Sequence, residues 1–216
     1  MPVSYEVERV HDRSDRPGNY VVASFYTAGT IYEAEAGHLV RSLDAHGVPY
    51  VVYGIRASSK DWVEVCQLKP HVIRLVRKRF PDRDTVWLDA DSTLARDPEF
   101  FRCSPGSCAA YGHQKRPGEY MSGTVVFKAG PAADSMLDEW AELQESPEHR
   151  GRSWDQAVMS AVFNARPTEV GVLPPEYLKK FDRAGPSPVV VHWMASREYA
   201  RGRKRDTRAR TAKGRK

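Results

Sequence analysis

The stretch Val86-Trp87-Leu88-Asp89-Ala90-Asp91 decides how this chain reads. Three large apolar residues run straight into two carboxylates. A strand from a sheet interior that ends in acids does so at its carboxyl end, where open α/β sheets bind ligands. In extended backbone, residues two apart share a face, so the two carboxylates converge on one spot unless a turn reorients them. Paired hard oxygen donors suit Mg²⁺ or Mn²⁺, ions that bridge readily to a diphosphate. Two solvated aspartates in a turn are the plain alternative, and the buried strand before them is what argues for a cation.

Outward from that stretch, the preceding residues follow a strand-helix-strand-helix-strand rhythm. Residues 20–25 (Tyr-Val-Val-Ala-Ser-Phe) read as a buried strand, and 26–30 as a polar loop. Ala36, Leu39, Val40 and Leu43 recur at helical spacing and predict a helix over 32–45 that stops at Gly47. The β-branched and aromatic run 48–55 predicts a second strand. A helical region over 61–80 is interrupted at Lys69-Pro70, where Pro70 opens a fresh helix with Val72, Ile73, Leu75 and Val76 on its apolar face. The third strand, 85–88, leads into the aspartates. This order implies parallel pairing with right-handed crossovers.

After Asp91 the rhythm changes. Strands are expected at 107–111 and 124–127 with only loop between them, helices at 131–143 and 154–164, and short late strands at 170–173 and 189–192. Ser153 starts an apparent capping box, with Gln156 reaching back and Asp155 favourable near the helix dipole. Gly123, in Ser122-Gly123-Thr124, allows close backbone approach to a ligand or marks a plain turn.

The chain has 216 residues, 41% hydrophobic and 28% charged, which suits one substantial soluble core. No apolar run approaches the ~20 residues of a membrane span, and residues 1–20 are polar and charged, without the apolar centre of a signal peptide. A cytoplasmic location is the expectation. Three cysteines without CxxC or paired Cys/His spacing argue against a disulfide framework and a zinc site, and read as small or buried residues. Net charge is +5, but it is unevenly placed. Residues 197–216 hold ten basic and two acidic residues, leaving 23 basic against 26 acidic in the rest. The organisation expected is one α/β domain over 1–196 and a disordered basic tail over 197–216. The tail is either a solubilising segment or an arm that binds a polyanion by counterion release.

Asp89-Ala90-Asp91-Ser92-Thr93 also matches the DxDxT motif of haloacid-dehalogenase-type phosphatases. Those enzymes place it near the start and need a downstream lysine and a paired acidic motif. Here two strands precede it, and neither Asp-Asp nor GDxxxD follows.

Instead the chain resembles the GT-A nucleotide-diphospho-sugar glycosyltransferases of the glycogenin and galactosyltransferase-like branch. The resemblance runs from about Tyr20 to His192. Its segments are Ala23-Ser24-Phe25-Tyr26-Thr27, Leu68-Lys69-Pro70, Trp87-Leu88-Asp89-Ala90-Asp91, Ser122-Gly123-Thr124-Val125-Val126-Phe127, Trp154-Asp155-Gln156 and Val191-His192-Trp193. It implies a single GT-A (Rossmann-like) domain with a mixed central sheet flanked by helices. It also implies that Ser24, Tyr26, Thr27 and Tyr32 meet the nucleotide, and that Lys69 points at the nucleotide or its diphosphate. Ser122 and Gly123 would lie beside the transferred sugar, and Asp155 and Gln156 would face the reaction centre. His192 would complete the metal site of Asp89 and Asp91, with His113 the next candidate.

The function implied is Mn²⁺- or Mg²⁺-dependent transfer of a sugar from a nucleotide-diphosphate donor, UDP-sugar first, to an acceptor hydroxyl. If the enzyme inverts, Asp155 is the candidate base; a retaining one needs none. If the tail binds a polyanion, one option is an acceptor that is itself nucleic acid, such as a modified base in DNA. The competing classes are the phosphatase and a nucleic-acid-binding module with a decayed transferase site.

Overall fold

In the computed structural model, residues 3–181 and 185–195 are described, and the basic segment 197–216 lies outside them. The strands and helices run β1 (Tyr5–Asp12), β2 (Tyr20–Thr27), α1 (Ile31–Ala45), β3 (Tyr50–Ala57), α2 (Trp62–Cys66), α3 (Lys69–Arg79), β4 (Asp84–Leu88) and β5 (Ser92–Leu94). They continue β6 (Cys108–Gly112), β7 (Tyr120–Phe127), α4 (Pro131–Glu145), α5 (Asp155–Ala165), β8 (Val170–Val172), β9 (Lys179–Lys180) and β10 (Val190–His192).

The main sheet has the order β1-β3-β2-β4-β7-β6-β8, and β5-β10-β9 form a small second sheet. β2 pairs in parallel with both β3 and β4, while β7 runs antiparallel to β4. The sheet is therefore mixed, as expected, with parallel pairing around β2 and again between β6 and β8 at the far edge. Strand β2 is buried on both faces, which is why it reads as a continuous apolar run rather than an alternation. Val21, Ala23 and Phe25 join a core with Val72, Ile73, Trp140 and Phe163 from α3, α4 and α5. Tyr20, Val22 and Tyr26 join a second core with Leu39 and Leu43 of α1 and Val190 of β10. Each fully buried large apolar side chain contributes about 1.5–3 kcal/mol.

Local chemistry sets the helix ends. The Thr30 hydroxyl accepts from the Tyr32 N–H and caps α1, and Gly47 at φ 62° lets the chain turn into β3. Pro70 sits in the first turn of α3, as its missing N–H allows.

Four expectations are corrected. β1 was not foreseen; it adds an antiparallel edge to β3. β2 continues through Thr27, pairing Tyr26 with Gly54 and Thr27 with Ile55, so Tyr26 and Thr27 are strand residues rather than loop residues. The capping box at Ser153 does not form. Trp154 is the N-cap residue of α5, without a side-chain cap bond, because the Ser153 hydroxyl pairs with His149 Nδ1 and the Gln156 amide turns to Glu119. Cys103 is exposed, although Cys108 is buried.

Candidate active site

Beyond Leu88 the chain leaves the sheet and Asp89 and Asp91 follow. The Asp89 N–H donates to the Gly123 carbonyl (2.9 Å), continuing the β4–β7 pairing for one more residue. The small sheet then brings in His192, which pairs with Ser92 across β10 and β5. One ligand atom from each of Asp89, Asp91 and His192 lies within 4.8 Å of the others.

Each of the three is held by specific partners. Asp89 Oδ1 accepts from the Trp87 indole (2.8 Å) and from Lys69 Nζ (2.9 Å). Asp91 Oδ2 accepts from the Ala195 N–H at 2.8 Å, and the Asp91 carbonyl accepts from the Trp193 N–H at 2.8 Å. That turn carries Met194 at φ 60°, the described non-glycine residue with positive φ, a left-handed conformation that costs a non-glycine residue ~1–2 kcal/mol. His192 Nε2 lies 2.9 Å from the Thr124 hydroxyl, whose own proton goes to the Tyr177 carbonyl at 2.9 Å. A hydroxyl has one proton to give. The Thr124 oxygen therefore accepts from His192, the imidazole carries its hydrogen on Nε2, and the lone pair sits on Nδ1.

The electrostatics agree with that arrangement. Burial, with the Lys69 and Lys180 charges, lowers the His192 pKa to about 4 against the opposing pull of Asp89, so the ring is neutral near pH 7. Burial and the Asp89 charge raise Asp91 to about 6. Burial would raise Asp89 too, but Lys69 and His192 outweigh it and the carboxyl is held below its ordinary value.

Lys69, from the first turn of α3, is 5% exposed. Its ammonium contacts Asp155 Oδ2 at 2.6 Å, Asp89 Oδ1 at 2.9 Å, and the Ser122 carbonyl and hydroxyl at 3.1 Å each. It also lies 5.4 Å from the Trp87 ring centroid, within cation–π range. Burial disfavours the charge, yet Asp155 and Asp89 more than compensate and the pKa is raised. The lysine is thus enclosed by carboxylates instead of pointing outward. Ser122 donates to Asp155 Oδ2 at 2.9 Å and closes the network.

Of the remaining expected residues, Gln156 bonds Glu119 (2.6 Å) and receives the Ser122 N–H (3.4 Å) at the edge of this cluster. Gly123 is essential to the geometry: a Cβ there would lie 2.8 Å from His192 Cε1, 3.1 Å from Nδ1 and 3.2 Å from Asp89 Oδ2. Tyr32 lies near both aspartates, its phenol accepting from the Trp62 indole at 3.1 Å. Burial first, and then the Asp91 and Asp89 charges, raise its pKa. Thr27 ends β2, its carbonyl taking the Thr30 hydroxyl at 2.7 Å. Ser24 is fully buried, its Oγ without a partner among the described residues. Tyr26 is 2% exposed and reaches across Gly54 to His11 at 3.2 Å, away from the aspartates. His113 belongs to the turn between β6 and β7, where its Nδ1 accepts from the Lys115 N–H.

Several members of the site carried no role in the sequence reading. Trp87 and Thr124 sit inside motifs already noted, but their partners are set by pairing across the sheets. Glu119 and the Ala195 amide leave no sequence signal.

Two carboxylates, a neutral imidazole lone pair and a backbone cradle that a single Cβ would fill make a donor set that fits Mn²⁺ or Mg²⁺.

No protein-family model matches the chain, and no curated protein matches it by sequence. Solved structures do match in fold. A glycosyltransferase involved in glycosylation of the major capsid of PBCV-1 superposes with a TM-score of 0.65 at 16% identity, covering 82% of this chain and 93% of that one. Mouse xyloside xylosyltransferase 1 gives 0.54 at 12% identity, over 83% and 99%. The glycosyltransferase GlyE of Streptococcus pneumoniae gives 0.55 at 14% identity, over 82% and 54%. The chain has the GT-A-like fold of these glycosyltransferases. Among its described residues no helix is long and apolar enough to cross a membrane.

Proposed function

We propose that this chain is a metal-dependent glycosyltransferase that moves a sugar from a nucleotide-diphosphate donor, a UDP-sugar, to an acceptor hydroxyl. The observation that carries the reading is the Asp89–Asp91–His192 cluster at the carboxyl end of β4, inside a fold shared with glycosyltransferases. A divalent cation held by these three residues would supply Lewis-acid charge to the leaving diphosphate.

The protein groups have separable tasks in this reading. His192 offers Nδ1 because Thr124 holds its Nε2 hydrogen. Lys69 keeps Asp89 ionised and holds Asp89 and Asp155 in place, and Gly123 leaves room beside the transferred sugar, with Ser122 next to it. Thr27 and Tyr32 border the nucleotide side, with Ser24 and Tyr26 bracing the strand beneath. Gln156 forms the rim where the sugar sits. Asp155 Oδ2 already holds Lys69 and Ser122, which favours an orienting role. The acceptor's proton then leaves with the departing diphosphate.

A panel of nucleotide sugars with Mn²⁺ tests the proposal by thermal shift and by release of nucleoside diphosphate. A UDP-sugar should raise Tm and be turned over, and Asp91→Ala should remove the metal dependence. If no nucleoside diphosphate binds in the presence of Mn²⁺, the proposal is wrong. Phosphate release from simple phosphomonoesters would point to the phosphatase class instead.

A further inference from the structure

Phe181 and Trp193 are large aromatic side chains left half in solvent, 51% and 46% exposed. They stack on each other, ring centroids 5.7 Å apart and planes inclined by 22°. The fold makes this pair: β9 and β10 run parallel with His192 opposite Lys180, and each ring belongs to the residue that follows its strand. Both rings are tied to the candidate active site through backbone. The Phe181 N–H donates to the His192 carbonyl at 3.2 Å, and the Trp193 N–H to the Asp91 carbonyl at 2.8 Å. The Trp193 indole donates to the Thr93 hydroxyl at 3.0 Å, which satisfies its polar edge and fixes the ring's direction. The left-handed turn at Met194 comes next, a strained conformation of the kind that clusters at functional sites.

We propose that the Phe181–Trp193 stack is a carbohydrate subsite for the acceptor, on which the apolar face of a pyranose ring lies while one of its hydroxyls reaches the reacting centre. This deepens the glycosyltransferase reading and rests on it. The C–H bonds on one face of a pyranose point their positive ends outward, and an aromatic face carries the complementary negative charge. A rigid, half-exposed pair costs little further ordering when it is covered. The other exposed aromatic group beside the site is unsuited to this. Trp62 and Trp154 meet edge to face, at 81°, and so present no flat platform, and the Trp62 indole is used by Tyr32. The Phe181–Trp193 rings are near-parallel, and their backbone N–H groups are bonded to the carbonyls of His192 and Asp91.

The test uses the full chain with methyl β-galactoside, methyl α-glucoside and methyl α-mannoside as probes, followed by saturation-transfer NMR and indole fluorescence. UDP with Mn²⁺ is titrated in parallel. At least one glycoside should bind with millimolar affinity and perturb the Phe181 and Trp193 signals. Phe181→Ala, an exposed-site change, should weaken that binding about tenfold while UDP binding and UDP release to water stay as in wild type. Trp193→Leu gives a second variant for the glycoside arm. UDP binding with no glycoside binding overturns the subsite. So does a Phe181→Ala loss of UDP affinity, which would make the stack a nucleobase platform. Glycoside binding without any UDP binding leaves the subsite standing and removes the transferase reading beneath it.

Discussion

The two oxygens of Asp89 face different neighbourhoods. Oδ1 looks into a closed network in which the Trp87 indole and the Lys69 ammonium are engaged, with Asp155 and Ser122 completing the lysine's shell. Oδ2 looks toward the small space over Gly123, with His192 Nδ1 across it. The first half comes from strands β4 and β7 and from α3 and α5 packed against the sheet; the second comes from β10 and the strained turn after it. One half is a brace with its polar groups satisfied, and the other keeps lone pairs aimed at a common point. Such a division is what a metal site needs, since ligands hold their geometry through the groups behind them.

The sharpest way to break the comparison is to remove the brace. Lys69→Met would leave the buried Asp155 and the half-buried Asp89 without their cation and should destabilise the fold by about 3–5 kcal/mol, read by urea denaturation. A loss below the ordinary surface range would mean that the network is slack. Gly123→Ala attacks the receptive half instead. Its Cβ collides with His192, so the overpacking should cost about 1–3 kcal/mol and Mn²⁺ binding, measured by electron paramagnetic resonance, should be lost from a protein that still folds. Thr124→Val is subtler. It frees the His192 tautomer and should weaken Mn²⁺ about 10–100-fold, with Thr124→Ser restoring most of it; equal affinity in Val and Ser variants would contradict the hydrogen-bond assignment.

The smallest effect is a pH slope in the metal-free protein. His192 has a folded pKa of about 4, below its reference 6.5, so it binds fewer protons folded than unfolded, and stability falls as pH drops through that window. Asp91 does the reverse. At about 6 against a reference 3.8, it binds more protons when folded, and stability falls as pH rises. The two slopes oppose each other between about pH 4 and 6. Asp91→Asn removes one, so its urea midpoint should drop more steeply on acidification than that of wild type; parallel curves would show that Asp91 is not raised.

The parts of the fold that could be read from sequence are those where burial dominates. Residues 20–25 and 85–88 are apolar because both faces of β2 and β4 are covered. β1 could not be read that way. Its Val7 and Val10 are 38% and 47% exposed among charged neighbours, so its ordering comes from hydrogen bonds to β3 rather than from a buried face. The Ser153 capping box failed because its side chains take other partners: the serine bonds His149, four residues back, and Gln156 bonds the distant Glu119. Within the site, the aspartates were legible because they end a buried run. Thr124's hold on His192 joins residues 68 apart in sequence, and no local pattern encodes it. Ser24 and Tyr26 show the converse, a motif position whose side chains the extended β2 turns inward.

The central claim, that Asp89, Asp91 and His192 form a metal site for a nucleotide-diphosphate donor, is tested most directly by calorimetric titration of UDP into the full chain with and without Mn²⁺, beside Asp91→Ala. The account predicts binding that requires Mn²⁺ in wild type and is lost in the variant. UDP binding that is equally tight without the ion, or equally tight in Asp91→Ala, would contradict it.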